Sequence, residues 1–94
     1  MIEIQSVSLT REGQRVLDVF SYLGGWGLRA AAFGATEVDC VDASARAVEG
    51  IRANIEHNGL QDRVLAHAAD AFEFLRAARA ERRKWDVVIL DPPA

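Results

Sequence analysis

The stretch from Val16 to Gly27 constrains the fold most, because it joins a short apolar run to a glycine-rich turn and the start of a helix. Its first five residues, Val16 to Phe20, are apolar except for Asp18. Such a run is typical of a strand that is buried on both faces of a parallel sheet. The stretch therefore predicts the strand, turn and helix from which parallel α/β sheets are built.

The turn itself has the composition of a ligand-binding loop. Gly24, Gly25 and Gly27 let the backbone turn sharply and approach a ligand, because glycine has no Cβ. The helix predicted after them, about Trp26 to Phe33, directs unpaired N–H groups and a partial positive charge into the same space. Asp18 adds a negative charge beside them. The N–H groups can bind an anionic group, and the neighbouring carboxylate can bind a cationic one. Together they suit a zwitterionic ligand.

Three more strands and two more helices are predicted along the chain. The strands span Glu37 to Asp42, Arg63 to His67 and Trp85 to Leu90, and the helices between them begin after the N-cap residues Ser44 and Asp70. This alternation with short links implies right-handed crossovers. We therefore expect an α/β fold, a Rossmann-like, doubly wound and mostly parallel sheet of four strands with three helices.

The last helix and the last strand each carry a further expectation. The helix is expected to carry Phe72, Leu75 and Ala78 on its apolar face and to end in the basic run Arg82 to Lys84. The strand is apolar from Val87 to Leu90, as a central strand would be, and nothing after it covers its far side. Because an uncovered apolar edge is a pairing hazard, we expect either a fragment of a larger sheet or self-association through this edge.

The composition fits one small globular domain. The 94 residues predict a domain at residues 15–94 after an extension at residues 1–14 that partly alternates like a strand and ends in a turn. The net charge of −3 gives no nucleic-acid footprint of its own. The single cysteine excludes an internal disulfide and fits a reducing compartment, so a cytoplasmic location is expected. No apolar run is long enough to span a membrane, and no residue spacing predicts a metal site.

An acid stands at or near the carboxyl end of every predicted strand. These acids are Asp18, Asp42, Asp70 and Asp91. In open parallel sheets, ligands bind beyond the carboxyl ends of the strands. Asp42 lies where an acid can accept hydrogen bonds from ribose hydroxyls, or it could simply pair with the next helix. Asp70 either caps its helix or also contacts an adenine amino group.

Two nucleotide ligands compete for this site. Gly25 to Ala30 matches the dinucleotide fingerprint G-x-G-x-x-A. In that fingerprint, however, the first glycine follows the strand directly, whereas here Ser21 to Leu23 intervene. Asp18 would also repel the dianionic pyrophosphate of NAD. S-adenosylmethionine (SAM), which carries an ammonium group and a single carboxylate, fits the charges better than NAD.

Four motifs in order give the chain a family resemblance. They are Val16–Gly27, Val41–Ser44, Asp70–Phe72 and Asp91–Pro93. Together they resemble the class I SAM-dependent methyltransferases, and more narrowly the bacterial enzymes that methylate carbon 5 of cytosine in large-subunit ribosomal RNA, together with their guanine-methylating relatives. The resemblance covers the chain from about Arg15 onward. It implies SAM as the cofactor, ribosomal RNA as the partner and a seven-stranded sheet of which this chain holds four strands.

The resemblance also implies roles for individual residues. The turn lines the methionine side of the cofactor, Asp42 and its neighbour bind ribose, Asp70 and its neighbour bind adenine, and the last acid faces both the cofactor and the target base. The implied cofactor-binding residues are Asp18, Phe20, Ser21, Tyr22, Gly24, Gly25, Gly27, Asp42, Ala43, Asp70, Ala71 and Asp91. The implied residues on the target-base side are Asp91, Pro92 and Pro93.

The chain departs from the family pattern in ways that affect activity. Leu23 stands where the family usually has threonine, and neither the RNA-binding module of the family nor its nucleophilic cysteine is present. Cys40 lies within a strand, where a free cysteine is usually a small buried hydrophobe. We therefore expect a SAM-binding portion that contacts RNA through other segments and is inactive alone. The alternatives are a fragment of an NAD(P)-binding oxidoreductase and a non-catalytic nucleotide-binding or assembly module.

Overall fold

The computed structural model describes residues 14–22, 25–32 and 34–90. The expectations for the extension before residue 14, for Gly24, and for Asp91, Pro92 and Pro93 lie outside these ranges. Within them the chain alternates strands and helices as the sequence predicts. The elements are β1 (Arg15–Val19), α1 (Gly25–Ala32), β2 (Glu37–Asp42), α2 (Ala45–His57), β3 (Val64–Ala68), α3 (Ala71–Ala80) and β4 (Val87–Leu90).

The four strands form one parallel sheet in the order β3-β2-β1-β4. The two middle strands are almost completely buried after their first residue, which is why β1 reads as apolar on both faces. Along the chain, the strands are added from β1 through β2 to β3 at one edge of the sheet. The chain then returns, and β4 pairs with the free side of β1. The expected Rossmann-like, doubly wound fold is confirmed, with β2 at its predicted bounds and β3 and β4 shifted or shortened by one or two residues.

One face of the sheet, which we call the Asp18 face, is covered by α1 and α2. Its core joins β-strand side chains such as Val38 and Ile89 to Ala30 of α1 and to Ile51 of α2. All four of these side chains have at most 1% of their surface exposed. Burial of this kind stabilises a fold by roughly 25 cal/mol for each Å² of apolar surface removed from water. This face therefore supplies most of the apolar core.

The opposite face, which we call the Asp39 face, is covered by α3. Its apolar cluster contains Leu17, Val19 and Val41 from the strands, with Phe74 and Trp85 packed against them. Burial is less complete here than on the Asp18 face. At the two outer strands of the sheet, three apolar side chains on this face are exposed: Leu65 on β3 and Val88 and Leu90 on β4. Self-association through the edge of β4 stays a prediction.

The two longer helices begin at the predicted caps. Ser44 Oγ accepts a hydrogen bond from Ala47 N, and Asp70 caps α3. One expectation for α3 is wrong: Phe72 is 68% exposed, because it lies in the first turn on the side away from the sheet, and Phe74 packs inward instead. Among the described residues, no helix combines the length and hydropathy needed to cross a membrane.

The helices α2 and α3 end in the same motif with different residues. In α2, Gly59 adopts a φ of 66°, and Leu60 N donates to Ile55 O. In α3, Arg82 adopts a φ of 57°, and Arg83 N donates to Ala78 O. Both are Schellman motifs, in which the left-handed residue is usually glycine. The basic run predicted to end α3 therefore lies just beyond it, because Arg82 reverses the chain.

Candidate functional site

Asp42, the last residue of β2, connects the three loops at the carboxyl edge of the sheet. Its Oδ2 accepts a hydrogen bond from Tyr22 N at 2.9 Å, and its Oδ1 accepts one from Ser44 N at 2.9 Å. Its backbone carbonyl accepts a third from Ala69 N at 3.0 Å. Each carboxylate oxygen has a second lone pair, so these bonds leave Asp42 able to accept from a ligand. The structure thus brings the predicted ribose-binding acid between the loops predicted to bind the two ends of the cofactor.

The turn after β1 is held in an unusual backbone conformation. Phe20 and Tyr22 have φ values of 63° and 54°, in the left-handed region that residues other than glycine rarely adopt. Ser21, between them, donates its backbone N–H to Val41 O at 2.9 Å. Such strain costs on the order of 1 kcal/mol or more per residue and is concentrated at ligand sites. The Tyr22 side chain is 68% exposed at this edge.

Asp18 lies beneath this turn and is 1% exposed. Its Oδ2 accepts hydrogen bonds from Ser21 Oγ at 2.8 Å and from Gly27 N at 3.0 Å. The carboxylate therefore ties the turn to the first helical residues of α1. This is the position beside the glycine turn that the sequence predicts, although the carboxylate is covered by the turn. Its attraction for a ligand's ammonium group stays a prediction.

The start of α1 approaches β2 so closely that a side chain at position 27 would force its neighbours to shift. A Cβ built on Gly27 would lie 2.6 Å from Cys40 Sγ and 3.1 Å from Val38 Cγ1. Cys40 is fully buried, as the sequence predicts. Burial raises the pKa of its thiol to about 12, which the charges of Asp18 and Asp39 reinforce. Since the thiolate is the reactive form, Cys40 is an inert packing residue.

Asp70 begins α3 and caps it with one oxygen. Its Oδ1 accepts from Phe72 N and from Glu73 N, each at 3.0 Å. The capping role is therefore confirmed, and the proposed contact with adenine stays a prediction. Ala71 is buried, whereas Ala43 after β2 is exposed. The exposed ring of Phe72 adds an aromatic surface next to Asp70.

A second buried acid, Asp39, lies on the opposite face of the sheet and was not anticipated. Its Oδ1 is 2.7 Å from His67 Nε2, and its Oδ2 accepts from Arg83 Nη2 and Trp85 Nε1, each at 2.9 Å. Burial alone would raise the pKa of Asp39, but these hydrogen bonds and the charge of Arg83 outweigh it, so the pKa lies below its usual value. The available signal was a charged residue in the middle of a strand predicted to be buried.

Across the described ranges, no group of three or more His, Cys, Asp or Glu side chains could hold a metal ion. The site consists instead of backbone N–H groups, three carboxylates and two exposed aromatic rings around one sheet edge. Such an arrangement favours an organic ligand with hydroxyl groups, an aromatic base and charged groups. The strand order and the winding of the sheet are those expected of the class I SAM-dependent methyltransferases.

The solved structures most informative about this class align with nearly the whole chain. A SAM-dependent methyltransferase from Agrobacterium tumefaciens is 34% identical with a TM-score of 0.82, over 94% of this chain and 28% of that one. A second structure, of SMU.776, described as a methyltransferase and solved as a complex with SAH, is 30% identical with a TM-score of 0.81. The match covers 94% of this chain and 25% of that one. These matches confirm the expected class, whose cofactor is SAM.

The chain belongs to the family described as Conserved hypothetical protein 95, whose model matches residues 4–94. Among curated proteins it is similar to the ribosomal RNA large subunit methyltransferase I of Shewanella denitrificans, with 46% identity over 83 residues. The same enzyme from Aeromonas salmonicida is 44% identical over 92 residues. The aligned parts make up 87% and 95% of this chain, but the chain spans only 21% and 23% of those relatives.

Proposed function

We propose that this chain forms the SAM-binding part of a methyltransferase that transfers a methyl group to a base of ribosomal RNA. The observation that carries the proposal is the convergence of three loops on Asp42, which places a hydrogen-bond acceptor between a glycine turn and a capped helix. The curated relatives named above support ribosomal RNA as the substrate. Cytosine carbon 5 is the target that we propose from the motif resemblance.

The ribose is proposed to lie at Asp42, with Ala43 beside it. Both Asp42 oxygens already accept one backbone N–H each, which fixes the orientation of the carboxylate before a ligand arrives. An acceptor held in this way can bind two neighbouring hydroxyl groups without losing side-chain entropy on binding. Ribose offers such a pair of hydroxyls.

The methionine end is proposed to lie over the turn after β1, against residues Phe20 to Tyr22 and Gly24 to Gly27. Asp18 holds the Ser21 hydroxyl and the Gly27 N–H from below, so it contributes both the shape of the turn and a negative charge close to the ligand. In a buried setting a charge is weakly screened and acts over several ångströms. That charge favours a ligand with a sulfonium or ammonium group over the pyrophosphate of a dinucleotide.

The adenine is proposed to lie at Asp70 and Ala71. The cap uses Oδ1 of Asp70, and a carboxylate has a second oxygen that can accept from an exocyclic amine. The ring of Phe72, in the first turn of the same helix, is 68% exposed and offers an apolar surface to the base. An aromatic ring of this kind stacks on a base with about 1–3 kcal/mol.

The target base is proposed to lie near Asp91, Pro92 and Pro93, as the resemblance implies. Carbon 5 of cytosine is weakly nucleophilic, so a thiolate must first add to the neighbouring ring carbon and leave again after methyl transfer and loss of the proton. Cys40 is the one cysteine in the sequence, and its buried thiol with a pKa of about 12 is unsuited to this step. The thiolate must therefore come from outside these 94 residues.

Calorimetric titration of the full-length protein tests the cofactor assignment. The parent protein should bind S-adenosylhomocysteine (SAH), the demethylated product of SAM, and not NAD. Asp42→Asn should weaken SAH binding by about tenfold, since a buried polar contact of this kind contributes on the order of 1–2 kcal/mol. Asp62→Asn, at an exposed turn, is the matched control and should bind like the parent. NAD binding without SAH binding would instead identify an oxidoreductase.

A second titration separates the charge of Asp18 from its support of the turn. Asp18→Asn keeps an oxygen that can accept a hydrogen bond but removes the charge, whereas Ser21→Ala keeps the charge and removes one donor to it. We expect Asp18→Asn to weaken SAH more than 5′-methylthioadenosine, which lacks the ammonium and carboxylate groups. Equal losses for the two ligands would show that Asp18 acts only by shaping the turn.

The RNA assignment is tested by methyl transfer to ribosomal RNA from cells that lack the full-length protein. Incorporation should occur at one nucleotide, and mass analysis of the digested RNA should place the methyl group on cytosine carbon 5. A methyl group on an exocyclic amine would retain the methyltransferase and reject the cytosine proposal. SAH binding without transfer to any RNA would identify a non-catalytic module.

A further inference from the structure

The Asp39 cluster, formed by Asp39, His67, Phe74, Arg83 and Trp85, joins parts of the chain that the proposed cofactor site does not use. Asp39 belongs to β2 and His67 to β3, while the other three residues belong to α3 and the loop after it. The bonds to Asp39 link residues that are 28, 44 and 46 positions apart in the sequence. A single carboxylate on β2, 3% exposed, therefore binds two other segments, β3 and the loop after α3.

The cluster fixes α3 near both of its ends. Before the helix, the His67 ring packs against Phe74 with centroids 5.0 Å apart. After it, the left-handed Arg82 turns the chain so that Arg83 reaches back to Asp39, and its guanidinium lies 4.8 Å from the Trp85 ring. An ion pair in a fixed hydrogen-bonded geometry restrains orientation in a way that apolar packing does not.

The segment held in this way carries the proposed adenine side of the site. Asp70 is three positions after His67, and it caps α3 by accepting from Phe72 N and Glu73 N. The loop at Ala69 is also bound to Asp42 O. The position of Asp70 is thus determined from two directions, by Asp42 at the sheet edge and by the seating of α3 on Asp39.

We propose that Asp39 is a positioning residue for adenine recognition: by seating α3 through His67 and Arg83, it places the Asp70 carboxylate against the exocyclic amine of the base. Asp39 itself touches no ligand, since α3 and the loop after it cover it. The inference rests on the proposed function, because it assumes that adenine lies at Asp70. It adds a determinant of base specificity on the face of the sheet opposite to Asp18.

The test compares two ligands that differ only at the exocyclic group of the base. SAH carries the amine, and S-inosylhomocysteine carries an oxygen in its place. A site that pairs with the amine should prefer SAH by at least about tenfold, because the analogue leaves a polar group unpaired. In the full-length protein, Asp39→Asn removes the charge and keeps the volume. We expect its preference for SAH to fall to about threefold or less, with a smaller loss of affinity for the analogue.

Two further variants keep the experiment decisive. Trp85→Phe removes one donor to Asp39 and retains an aromatic ring, so it is used if Asp39→Asn does not unfold cooperatively; it should lower the preference in the same direction. Arg52→Ala is the matched control, because Arg52 donates to Ala66 O beside His67 on β3 without contacting Asp39. Its preference for SAH should equal that of the parent protein.

The outcomes distinguish this inference from the function on which it rests. A folded Asp39 variant that melts earlier but keeps the full preference for SAH would show that Asp39 is merely structural, and would overturn the inference alone. An equal loss in the Arg52 control would do the same, because the effect would then reflect β3 in general. A parent protein that binds neither ligand would overturn the proposed function and this inference together.

Discussion

The two faces of the sheet each bury one carboxylate, and the two carboxylates are bound in different ways. Asp18 and Asp39 lie on adjacent strands and are 1% and 3% exposed. Asp18 accepts from a hydroxyl and from a backbone N–H that are near it in sequence. Asp39 accepts from an arginine, a histidine and an indole that lie far from it in sequence.

On both faces hydrogen bonds offset the free-energy cost of burying a carboxylate, but the bonds have a different structural role on each face. A buried carboxylate must be paired or hydrogen-bonded, or it loses several kcal/mol of hydration. On the Asp18 face the bonds shape a local turn at the site edge. On the Asp39 face they connect segments that are distant in the sequence, so the charge of Asp39 stabilises the position of α3 on the sheet. We therefore expect substitutions of Asp39 to lower stability and to disturb the placement of Asp70 for adenine, and those of Asp18 to act on the methionine end of the ligand.

The largest effect is expected for Asp39→Ala. Removing the carboxylate leaves Arg83 and His67 without their partner in a site largely closed to water, which costs about 3 kcal/mol after discounting the partial exposure of Arg83. Urea unfolding should show a lower midpoint with an unchanged slope. Glu37→Ala, which breaks the exposed ion pair with Arg15, is the control and should change the free energy of unfolding by under about 0.5 kcal/mol. Equal effects of the two substitutions would contradict the comparison.

The contribution of Asp39 should also depend on pH in a defined direction. Its pKa is lowered in the folded state, so its stabilising effect is complete above the pKa of the unfolded chain and is lost as the pH falls through the folded value. The difference in free energy of unfolding between the parent and Asp39→Asn should therefore be constant near neutral pH and shrink in the acid range below about pH 4. Urea titrations at several pH values measure it, and a difference that grows on acidification would refute this account.

On the Asp18 face, Gly27→Ala should destabilise the chain by overpacking. The new Cβ would lie 2.6 Å from Cys40 Sγ, and relieving that contact costs about 2 kcal/mol. Adding Cys40→Ala removes the sulfur and should restore part of the loss, which a double-mutant cycle measures as a coupling energy. Gly59→Ala supplies the contrast, since no atom lies within 4 Å of its Cβ and its cost comes from a φ of 66° alone. If the effects of Gly27→Ala and Cys40→Ala on the free energy of unfolding were strictly additive, the contact with Cys40 Sγ would not be the cause of the loss.

The smallest expected effect on stability concerns the left-handed residues that end α2 and α3. Arg82 adopts a left-handed φ of 57° at the end of α3, where α2 uses Gly59. Arg82→Gly should relieve that strain and change the free energy of unfolding by about +0.5 to +1 kcal/mol, partly offset by the greater entropy of glycine in the unfolded chain. Arg79→Gly, within the helix, should instead destabilise by about 1 kcal/mol. A destabilising Arg82→Gly would mean that the arginine side chain itself supports the Asp39 face.

Local signals in the sequence were sufficient to predict the elements and their caps. Ser44 and Asp70 begin their helices as expected, and β2 has its predicted bounds, because these features depend on neighbours within four residues. The parallel sheet followed from the alternation of elements, which restricts the possible connections. The position of Asp18 beside the glycine turn could also be anticipated, since Asp18 is only nine positions before Gly27.

The remaining features depend on contacts that no local pattern contains. Phe72 is exposed, whereas Phe74 packs on the Asp39 face, where Arg83 and Trp85 donate to Asp39 from more than forty residues later in the sequence. The burial of Asp18 likewise depends on Ser21 and Gly27, which lie above it only in the folded chain. The sequence alone thus determined the alternating elements, the glycine turn and the acids at the strand ends. Tertiary structure decided which acids are covered and what they hold, because burial and pairing depend on segments that meet only after the sheet has formed.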